Sequence, residues 1–247
     1  MSTFDALVLA ELLLAPPTFV ALLLVAAPYG RHARAGWGPA LPARAGWLLM
    51  ESPAVVAFGA AWAAGPHRAG TAALALLALW ELHYLYRSLV YPALLRPGSR
   101  MPASVVAMAI AFNVLNGGIN GWWISHRAYP AGWVSGPRFL LGAALFAGGL
   151  ALNAWSDRAL RRLRAPGNTG YAIPRGGPFD LVSCPNYLGE IVEWTGWAIA
   201  AWSPAGAAFA IYTVANLLPR AVAHHAWYRR RFPDYPRARR ALVPFVL

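Results

Sequence analysis

The sequence predicts an all-α, polytopic membrane protein with seven transmembrane helices. Of its 247 residues, 58% are hydrophobic and 12% are charged, whereas about 25% of a soluble domain is charged. Apolar stretches long enough to cross a bilayer core, roughly 20 residues each, recur along the whole chain. They lie at residues 5–27, 47–64, 71–91, 104–125, 137–155, 187–202 and 205–225. Since no repeat or linker divides the chain, we expect one domain over residues 1–247.

Local signals support the first and the last of these segments. The first opens without a basic residue and carries Asp5 and Glu11, so it differs from a secretory signal peptide. We expect it to form a helix that bends at Pro16 and Pro17. The last two segments are separated by residues 203–204 alone, which predicts a tight helical hairpin.

The arginines predict how the chain crosses the membrane. All 21 basic residues are arginine, and sixteen lie in the tail and in the loops after the first, third and fifth segments. The opposite loops hold only Arg68, Arg127 and Arg138. The positive-inside rule therefore predicts an external N-terminus and a cytoplasmic C-terminus. This distribution accounts for the net charge of +12 without a nucleic-acid partner.

The second and third segments carry charged residues inside apolar runs. A charged residue at the centre of a membrane helix costs about 2.5–3.5 kcal/mol. Glu81 and Arg87 suit helix-end residues that either extend toward the membrane surface or form ion pairs. Glu51 and Tyr84 also suit a buried acid and phenol that form a hydrogen-bonding pair.

The fourth segment carries three asparagines on one helical face, with glycines between them. These are Asn113, Asn116 and Asn120, at positions i, i+3 and i+7. Glycines let helices approach closely, and asparagine side chains form hydrogen bonds across the interface. We therefore favour helix packing over a ligand-binding role for this face.

The fifth segment ends in a polar face that allows more than one interpretation. Asn153, Asp157, Arg161 and Arg164 follow one another at i, i+4, i+8 and i+11. An aspartate and an arginine at this spacing stabilise a helix, and arginine clusters also bind anionic lipid headgroups. Guanidinium groups equally suit a phosphorylated ligand. The spacing leaves these alternatives open.

The last two segments each carry one polar face. In the sixth it consists of Asn186, Glu190 and Glu193, and in the seventh of Arg220, His224 and Tyr228. A metal site at His224 and His225 is disfavoured, because adjacent histidines point apart on a helix and no third ligand has suitable spacing. Cys184 is the single cysteine, which excludes a disulfide framework and a cysteine-based zinc site. The polar faces predict a cavity near the cytoplasmic end of the helices.

Four stretches of the chain resemble the steroid 5α-reductase family. The longest are G-Y-A-I-P-R-G-G-P-F-D-L-V-S-C-P-N-Y-L-G-E-I-V-E-W and R-A-V-A-H-H-A-W-Y-R-R-R-F-P-D-Y-P-R-A-R-R-A-L-V-P-F. Upstream, L-P-A-R-A-G-W-L-L-M-E-S-P and H-Y-L-Y-R-S-L-V-Y-P also match in order. The resemblance implies a seven-helix membrane enzyme, here a bacterial homologue. Such an enzyme uses NADPH to reduce the 4,5 double bond of a 3-oxo-Δ4 steroid. No G-x-G-x-x-G motif points to a Rossmann domain.

The resemblance also implies roles for individual residues. Glu51 and Tyr84 match the pair that donates hydrogen bonds to the 3-keto oxygen, which makes C5 electrophilic toward hydride. Trp47 and Met50 match positions in the substrate pocket. The cofactor positions, most of them within residues 150–247, are Tyr29, Arg96, Asn153, Asp157, Arg164, Tyr171, Asn186, Glu190, Arg220, His224 and Tyr228. Glu193 is assigned only to the pocket wall or to helix pairing.

Two departures from the family pattern leave other functions open. Met50 stands where human steroid-specific members have glutamine, and Ala172 where relatives often have arginine. The alternatives are a reductase of polyprenols or enoyl lipids, a membrane methyltransferase that uses S-adenosylmethionine, and a transporter or scaffold. We expect a steroid-like substrate, membrane lipid and NADPH as partners of a monomer. The predicted location is the bacterial inner membrane, or the endoplasmic reticulum in a eukaryote, with the site open to the cytoplasm.

Overall fold

Helices dominate the part of the chain that the computed structural model describes, residues 1–163 and 170–247. Two short strands, β1 (Ala40–Pro42) and β2 (Arg100–Pro102), accompany them. The helices are α1 (Thr3–Leu24), α2 (Ala43–Ala63), α3 (Thr71–Leu85), α4 (Tyr91–Ala93), α5 (Ala103–His126), α6 (Pro137–Arg162), α7 (Pro185–Ala201) and α8 (Pro204–Arg231). Each of the seven predicted segments thus contains a helix, and Pro16 and Pro17 lie within α1.

Helix lengths differ from the predicted ones in three places. Helices α6 and α8 continue six or seven residues past the predicted ends, because arginine-rich turns extend them beyond the apolar windows. Helix α3 ends at Leu85 and passes through a π-helical turn, Tyr86–Val90, into the single turn of α4. Within the described residues, four helices are long and apolar enough to cross a membrane, namely α1, α5, α6 and α8. Seven crossings remain a prediction.

The two strands are an element that the sequence did not predict. They pair antiparallel, with Leu41 opposite Met101, and each strand leads directly into a long helix. The backbone N–H of Ala43 donates to Ser99 O, and that of Ala103 donates to Pro39 O, both at 2.8 Å. These bonds join the starts of α2 and α5. Segments of three residues are too short to show the alternating pattern that identifies a strand.

The arginine-rich loops and the tail gather at one end of the helices. His32, between α1 and α2, contacts His224 of α8 at 3.1 Å, and the N–H of Ser183 donates to Arg240 O in the tail at 2.8 Å. At the other end, Tyr129 donates to Ala201 O at 2.8 Å. The chain therefore alternates between the two ends as the arginine distribution predicts. Which end faces the cytoplasm remains a prediction.

An aromatic cluster around Trp80 forms the core. Its ring stacks on Phe58 with centroids 4.5 Å apart and meets Trp197 edge-on at 5.2 Å. Both indole N–H groups have acceptors, as buried tryptophans require: Trp80 donates to Ala54 O at 3.2 Å, and Trp197 donates to Asn120 Oδ1 at 3.0 Å. Asn120 also donates to Asn116 Oδ1 at 2.8 Å. These two asparagines therefore pack helices.

Glycines bring α6 and α7 into backbone contact. Gly142 and Gly149 of α6 face Gly196 and Gly189 of α7. A Cβ atom on Gly149 would lie 2.5 Å from Gly189 O and 2.7 Å from the Cα of Glu193. The close approach aligns the polar faces of the two helices, which both contribute to the cavity described below.

We expect Gly149→Ala to destabilise the protein by about 1–3 kcal/mol, the usual cost of overpacking. The adjacent Gly148 is the matched control, because a Cβ atom there has no atom within 4 Å. Gly148→Ala should be neutral or stabilising, since alanine is the better helix former. Thermal unfolding in detergent measures both variants. Equal melting temperatures would contradict the assigned contact.

Candidate functional site

A cavity of about 630 Å³ lies among the helices and extends to residues of the arginine-rich end, including Arg31 and Arg161. All eight helices contribute to its wall, α4 through Tyr91 alone. Most of the predicted site residues line it, namely Tyr29, Trp47, Met50, Glu51, Tyr84, Asp157, Asn186, Glu190, Arg220, His224 and Tyr228. Asn153, Arg96 and Tyr171 are outside its wall. Arg164 lies outside the described residues.

The predicted acid and phenol lie in the deeper, aromatic part of the cavity. Tyr84 is buried, 4% exposed, and its ring lies 4.8 Å from Trp80 and 5.5 Å from Trp194. Glu51, from α2, lies within electrostatic reach of the Tyr84 phenol. Asn113 of α5 lines the same cavity, and its Nδ2 donates to the backbone oxygen of Met50, the residue before Glu51. The structure thus brings together the two groups that the sequence predicted as a pair.

Arg87 lines the cavity and is the main lining residue that the sequence did not predict as a site residue. Its guanidinium lies 3.4 Å from both Asp157 Oδ2 and Glu190 Oε1, and it stacks over Trp47 at 4.6 Å. Of the two interpretations of Arg87, the ion pair is therefore correct. Arg87 sits in the π-helical turn after Leu85, a feature often found at functional sites. The signal in the sequence that could have identified Arg87 was its position three residues after Tyr84.

The polar faces of α6 and α7 meet beside Arg87. Asn153 donates to Glu190 Oε1 at 3.1 Å and to Asn186 O at 3.0 Å. Asn186 donates to Asp157 Oδ1 at 3.4 Å. Asn153 does not line the cavity itself but contacts Glu190, which does; a role of Asn153 in cofactor binding stays a prediction.

Glu193 belongs to a separate pair. Its Oε1 lies 2.7 Å from Nδ1 of His83, and the carboxyl is fully buried. His83 lines the cavity, whereas Glu193 does not. Of the two roles predicted for Glu193, the structure shows helix pairing, here between α7 and α3. The two carboxylates of α7 therefore have different partners.

Arg220 and His224 hold the loop before α2 against α8. Arg220 donates to the hydroxyl groups of Tyr29 and Tyr187, the second at 3.1 Å. His224 lies 3.1 Å from both His32 and Tyr187. Burial, followed by the nearby arginines, lowers the pKa of His32 below its ordinary value, which favours neutral imidazole there at pH 7.

Two guanidinium groups in the cavity wall have unused donors. Arg31 stacks over Tyr228 at 4.4 Å and Trp227 at 4.9 Å. Its Nη1 and that of Arg161 are buried, and neither has a hydrogen-bond partner among the described residues. Buried donors of this kind normally have partners. The arginine-rich end of the cavity is therefore suited to an anionic ligand. Arg31 was not predicted as a site residue.

Apolar helices around a cavity that is lined by an acid–phenol pair and by arginines are features of a membrane enzyme. Comparison with known proteins specifies the class. A family model described as 3-oxo-5-alpha-steroid 4-dehydrogenase matches residues 99–247. The chain belongs to this family of oxidoreductases that act on a C=C bond. The resemblance noted in the sequence is therefore confirmed.

Relatives match over nearly the full length of the chain. Steroid 5-alpha-reductase DET2 of Arabidopsis thaliana is 43% identical, over 94% of this chain and 92% of its own length. The Bos taurus 3-oxo-5-alpha-steroid 4-dehydrogenase 1 is 44% identical, over 98% and 96%. The Homo sapiens protein of the same name is 45% identical, over 88% and 85%.

Proposed function

We propose that this protein is a membrane-embedded reductase that uses NADPH to reduce the 4,5 double bond of a 3-oxo-Δ4 steroid. The observation that carries the proposal is the cavity, which Glu51 and Tyr84 line together with Arg31 and Arg161. Each of these arginines has an Nη1 without a partner among the described residues. Membership of the family supports the reaction class. The names of the relatives support a steroid substrate.

The acid–phenol pair would act on the carbonyl end of the enone. Hydrogen bonds from Glu51 and Tyr84 to the 3-keto oxygen stabilise the negative charge that develops there when C5 accepts hydride. Collapse of the resulting enolate returns the electron pair to C4, which takes up a proton and completes the saturated ketone. Trp47 and Met50 supply apolar surface for the substrate. Glu51 serves as a donor only in its protonated form.

The arginine-rich end would hold the phosphate groups of NADPH, which supplies the hydride when bound. The unused Nη1 donors of Arg31 and Arg161 fit this assignment, because guanidinium groups bind phosphate through paired hydrogen bonds. Asn186 and Glu190 line the same cavity as the acid–phenol pair, and we assign the nicotinamide to a place beside them. Residues 150–247 would provide most of these contacts.

The remaining parts of the proposal concern the membrane. Helices α2, α3 and α7 would span it together with the four longer helices, with the N-terminus outside and the C-terminus in the cytoplasm. The arginine-rich end, and with it the cavity mouth, would then face cytoplasmic NADPH. We propose a monomer in the inner membrane of a bacterium, or in the endoplasmic reticulum of a eukaryote.

Two measurements on the purified protein test this function. NADPH should raise the melting temperature, whereas S-adenosylmethionine should not; the reverse result would favour a methyltransferase. NADPH consumption is then followed with testosterone-like steroids, polyprenols and enoyl lipids. Steroid-dependent consumption is expected. Consumption only with polyprenols or enoyl lipids would show that the substrate assignment is wrong and leave the reductase assignment intact.

We expect Arg161→Met to weaken NADPH binding by about 10- to 100-fold, since a hydrogen bond to a charged group contributes about 1.5–3 kcal/mol. The neighbouring Arg162 is exposed and does not line the cavity, so Arg162→Met should bind NADPH normally. Fluorescence titration of NADPH measures both affinities. Equal NADPH affinities in the two variants would show that Arg161 does not bind the cofactor.

A further inference from the structure

The contacts of Asn113 differ from those of the other two asparagines of α5. Asn116 and Asn120 bond to each other, and Asn120 also accepts from Trp197. Asn113 faces α2, where its Nδ2 donates to the backbone oxygen of Met50. It is 7% exposed and lines the cavity. Asn113 therefore packs α5 against α2, as the sequence predicts, and it also faces the cavity.

The contact with Met50 determines which way the Asn113 amide points. A backbone carbonyl accepts hydrogen bonds and cannot donate them, so the group that faces Met50 O has to be the NH₂. That NH₂ carries a second hydrogen. Glu51 is the next residue along α2, and it lines the same cavity as Asn113. The second N–H is thus available to one oxygen of Glu51.

The side chain of residue 50 supplies no polar group to this part of the cavity. Met50 packs with Met101 and Val106 in an apolar cluster. An amide beside Glu51 therefore comes from α5, across the helix interface, and not from the preceding residue of α2. A carboxyl without such a partner could rotate about its side-chain torsions, because the terminal torsion of glutamate is broad.

We propose that Asn113 is a positioning residue for Glu51. It donates to one carboxyl oxygen and so directs the other oxygen, which carries the proton, toward the carbonyl of the substrate. The proposal rests on the proposed function, in which Glu51 donates to the 3-keto oxygen. Misplacement of a reacting group by about 1 Å can lower a rate about 100-fold, so an orienting contact has a measurable effect.

A double-mutant cycle tests the proposal on the full-length protein in detergent. Asn113→Leu, which preserves side-chain size, should lower kcat about 10- to 100-fold and leave NADPH affinity unchanged. In the Glu51→Gln background the same substitution should change kcat less than about twofold, because residues that act through each other are not additive. Full multiplication of the two effects would overturn the proposal. If Asn113 served only in packing, the two substitutions would act independently and their effects on kcat would multiply.

Two further variants keep the result interpretable. Asn113→Ser is measured as well, and it replaces Asn113→Leu in the cycle if the leucine variant does not fold. Asn120→Leu is the packing control and should lower the melting temperature without lowering kcat at temperatures where it is folded. The wild-type protein is assayed first. If it reduces an enoyl lipid and no steroid, the proposed function fails, and the same cycle on that substrate still decides the role of Asn113.

Discussion

Glu51→Ala is expected to lower kcat for a 3-oxo-Δ4 steroid by about 10²- to 10³-fold, the usual effect of removing one donor from a developing oxyanion. NADPH affinity should stay within about twofold of the wild-type value, because the proposed function assigns Glu51 to the substrate carbonyl and the cofactor phosphates to Arg31 and Arg161. Steady-state NADPH consumption gives kcat, and fluorescence titration gives the affinity.

The matched control for this substitution is Glu81→Ala. Glu81 is also a carboxylate within an apolar helix, but it does not line the cavity, so its removal should leave kcat within about twofold. Tyr84→Phe should show a loss comparable to that of Glu51→Ala. Normal turnover by Glu51→Ala would show that Glu51 does not polarise the substrate, even if the protein reduces steroids.

Arg87→Leu should destabilise the protein by about 3–5 kcal/mol. The substitution leaves the carboxylates of Asp157 and Glu190 without the guanidinium that lies 3.4 Å from each, and breaking a buried ion pair from one side has a cost of this size. Asp157 and Glu190 are themselves largely buried. Thermal unfolding in detergent measures the loss.

The control for Arg87 is an exposed ion pair of the same chemistry. Arg175 and Asp234 lie 3.3 Å apart with side chains 62% and 69% exposed, and Arg175→Leu should cost less than about 1 kcal/mol. A triple variant that adds Asp157→Asn and Glu190→Gln to Arg87→Leu should recover part of the lost stability. If the triple variant were no more stable than Arg87→Leu, uncompensated charge would not be the cause.

Much of the site could be predicted because separate signals in the sequence agreed. Glu51 and Tyr84 stand out as polar groups within apolar runs, and the motifs around them resemble one family. The structure places both in one cavity with most of the predicted cofactor residues. Arg31 lies in a 3₁₀ turn of three residues, Gly30–His32, which is too short for a periodic pattern to identify it, and only the tertiary structure shows that it lines the cavity.

The sequence by itself determined the helices, the alternation of the loops between two ends and the family, because apolar length and arginine placement are properties of local segments. Only the tertiary structure decided which polar groups meet. His83 and Glu193 are 110 residues apart, Arg87 and Asp157 are 70 apart, and Asn113 and Met50 are 63 apart. Helical spacing shows that a residue faces inward. Its partner depends on how distant helices pack, and this packing separates Asn113 from the two asparagines on its own face.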